Sequence, residues 1–318
     1  MTSPILEEIA TDQPLPPALA TVVITTKNRK DDLRKAVASA LRQDARPQVL
    51  IIDDGSTDGT SDMIRAEFPT VQLERCEQSL GLIVQRNRAA TLAQTEFIVS
   101  IDDDAEFSSP KIISQTIAEF SDPRIGAVGI PFVDINYGPD IRQKTPDNRE
   151  IYVASHYIGT AHALRRELFL RLGGYREFFF HQGEEQDYCI RMLAAGYFVR
   201  LGCADHIIHY ESPKRDFRRR DLYGRRNNLL FVWCNVPLAY LPVRMIGTTI
   251  NGIRAGFRTR RMARMIHGIF MGYGAIFQYG SARRPVPSLV YKAFRRLGRA
   301  PLPLAKVQQW LAKVPRSR

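Results

Sequence analysis

Short apolar runs alternate with helically spaced ones through the first hundred residues. Residues 21–25 read as a compact buried strand, and residues 31–41 as a helix that opens on Asp31 and Asp32. A second strand covers 49–52 and runs into the turn-forming residues 53–59, after which a helix carries Met63 and Ile64. A short third strand at 71–73 and a helix through 86–90 lead to the apolar run 97–101. This spacing predicts an α/β fold, a mainly parallel sheet with helices on both faces. Beyond residue 110 the pieces are less regular. They include a strand over 126–130, a helix over 165–172 that stops at Gly173-Gly174, and a helix over 184–195 ended by Gly196.

The pattern changes after Asp221, the last acidic residue of the 318. The 97 residues beyond it carry 18 Lys and Arg and no acid, whereas the part through Asp221 holds 27 basic residues against 33 acidic, a net of −6. The overall charge of +12 therefore conceals two halves, one of them suited to a polyanionic surface. Apolar stretches at 229–233 and 266–277 are interrupted by Asn235, Pro237, Arg244 and His267. Both fall short of the roughly 18 uninterrupted apolar residues of a membrane-crossing helix. Between them lie Arg254, Arg258, Arg260, Arg261 and Arg264, a mixture that fits helices lying on an anionic membrane surface. The expected organisation is a polar lead-in over 1–19, an α/β unit over 20–235 and a basic helical C-terminal region over 236–318. Cys76, Cys189, Cys203 and Cys234 show neither CxxC pairing nor metal-ligand spacing, as in a reduced cytosolic protein. The N-terminus lacks the basic and apolar segments of a secretory signal. The expected location is cytoplasmic, peripheral on the inner face of the cell membrane.

Chemistry enters where the run 97–101 delivers Asp102, Asp103 and Asp104 to its C-terminal tip. Unpaired charge is too costly to bury, so these acids must meet water, a cation or a ligand at the sheet edge, where open α/β folds bind substrates. Oxygen ligands of this kind suit Mg2+ or Mn2+, and those ions suit diphosphates. A second acidic cluster, Glu184, Glu185 and Asp187, opens a helix after the aromatic run Phe178, Phe179, Phe180. Acids there also favour the helix dipole.

Taken in order, Val22-Val23-Ile24-Thr25-Thr26-Lys27-Asn28-Arg29, Ile51-Ile52-Asp53-Asp54-Gly55-Ser56-Thr57-Asp58-Gly59-Thr60 and Ile101-Asp102-Asp103-Asp104 resemble the family 2 glycosyltransferases of GT-A fold. The resemblance covers about residues 20–235. It implies a Rossmann-like nucleotide-diphospho-sugar transferase with an Asp-x-Asp motif and an inverting mechanism. It also implies that Thr25 and Asn28 line the nucleotide pocket, that Asp54 accepts the imide hydrogen of uracil or thymine, and that Asp53 braces the turn. Arg86 would sit behind the nucleotide site. Asp104 would coordinate a Mg2+ or Mn2+ ion, and Asp102 or Asp103 would hold the ribose or a metal-bound water. His209, in a segment similar to His-x-x-Ser of the family, would be a third metal or phosphate contact, and Arg226-Asn227 resembles another recurring pair. By the same resemblance Glu185 is the acceptor base, with Glu184 as the alternative, and Asp187 orients the loop or the acceptor.

The Gln-x-x-Arg-Trp signature of processive synthases is absent, which predicts one sugar per event. The expected partners are a UDP- or dTDP-sugar donor, a glycan or lipid-linked acceptor and an anionic membrane surface, with no nucleic acid. A sugar-phosphate nucleotidyltransferase would want a glycine-rich loop after the first strand, and residues 26–30 contain no glycine. A non-catalytic nucleic-acid- or membrane-binding protein would leave the acidic half without a purpose.

Overall fold

The computed structural model describes residues 18–211 and 217–312; most of the lead-in, and Ser212 of the His-x-x-Ser resemblance, lie outside the described residues. The chain begins with strand β1 (Ala20–Thr26), helix α1 (Lys30–Leu41), β2 (Gln48–Asp53), α2 (Thr60–Glu67), β3 (Gln72–Arg75), α3 (Leu82–Leu92) and β4 (Phe97–Asp102). The strands are uninterrupted apolar runs because both faces are covered: Val22, Val23, Ile24, Leu50, Ile51, Ile52, Val99 and Ile101 are at most 2% exposed. β1 pairs in parallel with both β2 and β4, and β2 with β3. The sheet thus grows outward from β1 to β3 and then restarts at β4 on the other side. Right-handed crossovers put α1 and α2 on one face and α3 on the other. Between β1 and β4 the strand order reverses, which opens a crevice at the strand ends. Its rim is set by register, with Thr25 opposite Asp102 and Thr26 opposite Asp53.

The chain continues through β5 (Ala105–Phe107), α4 (Ile112–Ala118), β6 (Ile125–Gly129), β7 (Phe132–Asp134), β8 (Ile141–Arg142), β9 (Tyr152–Ala154) and β10 (Ala161–Arg165). Then come α5 (Arg166–Arg171), α6 (Glu184–Ala194), β11 (Phe198–Leu201) and β12 (Ile207–His209). β10 lies antiparallel between β4 and β6, so the large sheet is mixed, with an all-parallel half from β3 to β4. Arg165 ends that strand, and the expected helix begins one residue later. A second, four-stranded sheet runs β5-β12-β7-β8. Its register sets His209 opposite Ala105 on one side and Asp134 on the other.

The basic region is helical: α7 (Phe217–Asn235), α8 (Leu241–Thr259), α9 (Met262–Gln278), α10 (Ser288–Leu297) and α11 (Leu304–Leu311). α7, α8 and α9 pack on one another and α10 packs on α6. The α7–α9 contact is close at Gly268, where a Cβ would stand 2.7 Å from the Leu222 carbonyl oxygen. A short strand, β13 (Leu302–Pro303), pairs with β9 and returns the chain to the edge of the large sheet. No described helix is long and apolar enough to cross a membrane. α8 and α9 nonetheless expose Val243, Ile246, Phe257, Phe270 and Phe277, each between 61% and 89% accessible.

Candidate active site

At the β1/β4 crevice lies a cavity of about 1090 Å3, lined among others by Thr25, Asn28, Arg29, Asp54, Asp102, Asp103, Asp104 and His209. The turn after β4 divides the acidic triplet. Asp103 accepts a hydrogen bond from the Thr26 hydroxyl at 2.8 Å and lies 3.3 Å from Arg29. Burial pushes its carboxyl up to about 7, against the pull of that guanidinium. Asp102 and Asp104 converge on His209 instead, with one donor atom from each of the three within 4.8 Å of the others. His209 Nε2 is 3.1 Å from Asp104 Oδ1 and 3.9 Å from Asp102 Oδ2. Burial alone would raise the Asp104 carboxyl, but His209 and Arg29, the latter at 2.9 Å, outweigh it and hold it below the usual range. The same carboxylates overcome burial at His209 and raise its imidazole.

Behind His209, its Nδ1 lies 3.5 Å from Asp134 Oδ1, and neither atom has a hydrogen-bond partner among the described residues. A carboxylate behind an imidazole fixes the ring's tautomer and orientation when the other nitrogen ligates a metal. Two carboxylates and one imidazole suit Mn2+ and are compatible with Mg2+. The three side chains fit such an ion.

Arg86 joins this edge to the second acidic cluster. It is buried on α3, and its Nη2 donates to Asp102 Oδ1 at 3.0 Å and to the Gly159 carbonyl at 2.9 Å. Its Nη1 lies 3.8 Å from Glu184 Oε1 and 3.7 Å from Glu185 Oε1. Burial opposes the charged guanidinium, but Asp102 and the glutamates more than offset it. The backbone can pass between these groups only because residue 159 is glycine. A Cβ there would fall 2.8 Å from Arg86 Nη1 and inside contact distance of the Glu185 carboxylate.

The geometry separates the two glutamates. Glu184 is 2% exposed and its Oε2 has no partner among the described residues. The Glu185 side chain is 18% accessible and opens on an adjoining cavity of about 270 Å3, lined also by Gly159, Gln186 and Asn228. Burial raises both carboxyls and Arg86 draws both back down.

Asp54 lines the large cavity, yet both its oxygens are occupied. It accepts from the Ser79 hydroxyl at 2.6 Å, Leu80 N at 2.8 Å, Gly81 N at 3.1 Å and Gln85 Nε2 at 2.6 Å. These bonds overcome burial, hold the carboxyl below its usual range, and anchor the loop that starts α3. A base imide at Asp54 has to displace one donor, and the Ser79 hydroxyl is the one that can rotate away. Asp53 is fully buried and accepts from Ser56 N at 2.8 Å and from the Ser61 hydroxyl. Asn28 sits at φ 54°, donates its N–H to Ser56 Oγ at 2.9 Å and accepts from Thr57 N at 2.8 Å.

Of the two roles expected of Asp187, its contacts fit the loop rather than the acceptor. It is fully buried and takes Arg176 Nη1 at 2.9 Å, Arg191 Nε at 3.0 Å and Asn235 Nδ2 at 2.8 Å, so it braces α6 and cannot meet an acceptor. The reason is helical geometry: two residues on from Glu185 is about 200° around the axis. Arg226 and Asn227 hold the loop that leads into α6. Arg226 Nη1 donates to the Phe178 carbonyl at 2.8 Å, and Asn227 Nδ2 faces the carbonyls of Phe179, His181 and Gln182 at 2.7 Å. Arg29, Asp134 and Gly159 belong to the site without a sequence signal that singled them out. Only the register of β7 with β12 reveals Asp134.

Residues 21–173 match glycosyl transferase family 2. They belong to that family. The succinoglycan biosynthesis protein ExoU of Rhizobium meliloti is 32% identical over 101 residues, 31% of this chain and 29% of that protein. The O-antigen chain rhamnosyltransferase WbaN of Salmonella anatum is 26% identical over 193 residues, 54% of this chain and 60% of that protein. The chain therefore spans less than two thirds of the length of either relative. Its fold is similar to that of mannosyltransferase PcManGT from Pyrobaculum calidifontis, solved with GDP-Man and Mn2+. The TM-score is 0.56 over 92% of this chain and 85% of that one, at 18% identity. The architecture is thus the GT-A fold, with a helical C-terminal extension.

Proposed function

We propose that the protein is a metal-dependent, inverting glycosyltransferase that moves a single sugar from a nucleoside-diphosphate sugar to a hydroxyl of a lipid-linked or envelope-glycan acceptor. The observation that supports this most is the Arg86 bridge, which sets Asp102 beside Glu185, an acid open to a neighbouring cavity. The large cavity takes the donor, with its diphosphate toward Asp102, Asp104 and His209. Those three side chains hold Mg2+ or Mn2+, which when bound neutralises charge on the leaving diphosphate. Thr25 and Asn28 border the nucleoside, and Asp54 with Ser79 meets the imide edge of a UDP or dTDP base.

Glu185 enters from the adjoining cavity and takes the acceptor's hydroxyl proton as that oxygen attacks the anomeric carbon. One base on the side away from the leaving group gives a single displacement and inversion. Burial gives Glu185 more basicity than an ordinary carboxylate, and the Arg86 charge opposes that shift.

The stripe on α8 and α9, flanked by exposed Arg254, Arg258, Arg260 and Arg264, suits the anionic inner face of a cell membrane. Arg261 is already paired with Asp221 at 3.0 Å.

The test is a panel of UDP-, dTDP- and GDP-sugars, scored by protection against thermal unfolding with and without Mn2+. The reading expects one nucleotide class to raise the midpoint only with the metal. No metal-dependent shift with any donor would contradict it.

A further inference from the structure

The cavity that holds Glu185 does not end at Asn228. Gln186, Arg225 and Asn228 also line a second space of about 330 Å3, and Arg244, Tyr291 and Arg295 carry that space into a third of about 720 Å3. Lys292, Arg296 and Arg299 complete the rim of the last one. Among the described residues, no acidic side chain lines the second or third cavity. Buried or half-buried cations without partners are costly. The Nε atoms of Arg225 and Arg244 are buried and lack any hydrogen-bond partner among the described residues. Arg225 has only Asp221 to oppose the effect of burial, which lowers its guanidinium. Tyr240 and Tyr291, with ring centroids 5.4 Å apart, give the far cavity an aromatic wall.

We propose that these three spaces form one acceptor channel, with the reacting hydroxyl at Glu185 and a phosphate or diphosphate of the acceptor held among Arg244, Arg295 and Arg299. This rests on the glycosyltransferase reading and adds to it the chemical class of the acceptor. Helix α8 supports the placement. Arg244, Thr248 and Asn251 line the channel at helical spacing, while Val243, Ile246 and Phe257 emerge to solvent. The phosphate end of the channel therefore opens beside the surface assigned to the membrane. A lipid-borne diphosphate reaches it from the headgroup layer while its sugar extends inward.

The experiment uses the full chain in EDTA, which silences the metal edge, and inorganic pyrophosphate as the probe. Calorimetric titration is run on the parent, on Arg295→Ala/Arg299→Ala and on Arg295→Lys/Arg299→Lys. The same proteins are assayed for Mn2+-dependent thermal shift with donor sugars and for flotation with phosphatidylglycerol vesicles. The channel predicts pyrophosphate binding by the parent, about tenfold or greater weakening in the Ala pair, near-parental binding in the Lys pair, and unchanged donor shift and flotation. No binding by the parent, or equal binding by the Ala pair, overturns it. Loss of flotation with pyrophosphate affinity intact also overturns it, since the cations would then serve headgroups generally. Absence of a donor shift in the parent would instead overturn the glycosyltransferase reading, on which the pyrophosphate titration does not depend.

Discussion

The guanidinium of Arg86 lies 3.7 Å from the Glu185 carboxylate, while its other terminal nitrogen donates to Asp102 at 3.0 Å. One buried cation is thus shared between the edge proposed to face the leaving group and the acid proposed to face the acceptor. Removing it should leave Glu185 exposed to burial without the opposing charge. Arg86→Gln is predicted to lower kcat about a hundredfold and to move the acidic limb of the kcat/KM profile to higher pH. The sign follows from the base being active when deprotonated, so a higher pKa delays the rise of activity. A nucleotide-release assay across pH reads both effects, and an unmoved limb would refute the coupling.

The two glutamates should differ sharply. Glu185→Gln removes the only carboxylate among the described residues that lines the proposed acceptor cavity and is predicted to cut kcat by about 10²–10⁴-fold with donor affinity preserved. Glu184→Gln should act mainly on stability and on the pH profile through its neighbour. Single-turnover rates alongside donor thermal shifts distinguish these outcomes. A Glu184→Gln variant as slow as Glu185→Gln would reassign the base.

Asp54 is predicted to be structural as well as base-facing. Its carboxyl is held low by four donors, so its stabilisation is present above the ordinary carboxylate range and is lost as pH falls through the depressed folded-state value. Asp54→Asn turns an amide N–H toward those donors and should cost about 1–3 kcal/mol at neutral pH. The variant's melting midpoint should fall less steeply on acidification than the parent's, as thermal unfolding from pH 7 to 3 would show.

Much of this was visible in the sequence, for a physical reason. β1, β2 and β4 are buried on both faces, so each is a continuous apolar run that ends in the functional turn, and Asp102 to Asp104 followed directly. β5, β9, β10 and β12 were invisible as strands because they are three to five residues long and formed by non-local pairing. Asp134 gains meaning only from its register with His209, and Gly159 only from the side chains that close around it. Glu184 and Glu185 are neighbours in a helix N-terminus, and composition could not rank them; exposure does. Asp187 shares their motif but lies about 200° around the helix from Glu185.

The proposed membrane contact of α8 and α9 has its own test. Phe257→Asp together with Phe277→Asp places charge at positions 73% and 89% exposed, where folding should be little affected. Flotation with anionic vesicles should be lost while turnover of a soluble acceptor is retained. Undiminished flotation would remove α8 and α9 from the membrane.

The account depends most directly on Asp102, Asp104 and His209 holding a divalent ion that binds the donor diphosphate. Its decisive measurement is the free Mn2+ signal by electron paramagnetic resonance, titrated with full-length protein in the presence of the preferred nucleotide sugar. The parent should sequester one ion per chain, and Asp104→Asn should release it under the same conditions. Equal sequestration by Asp104→Asn, or none by the parent, would contradict the central claim.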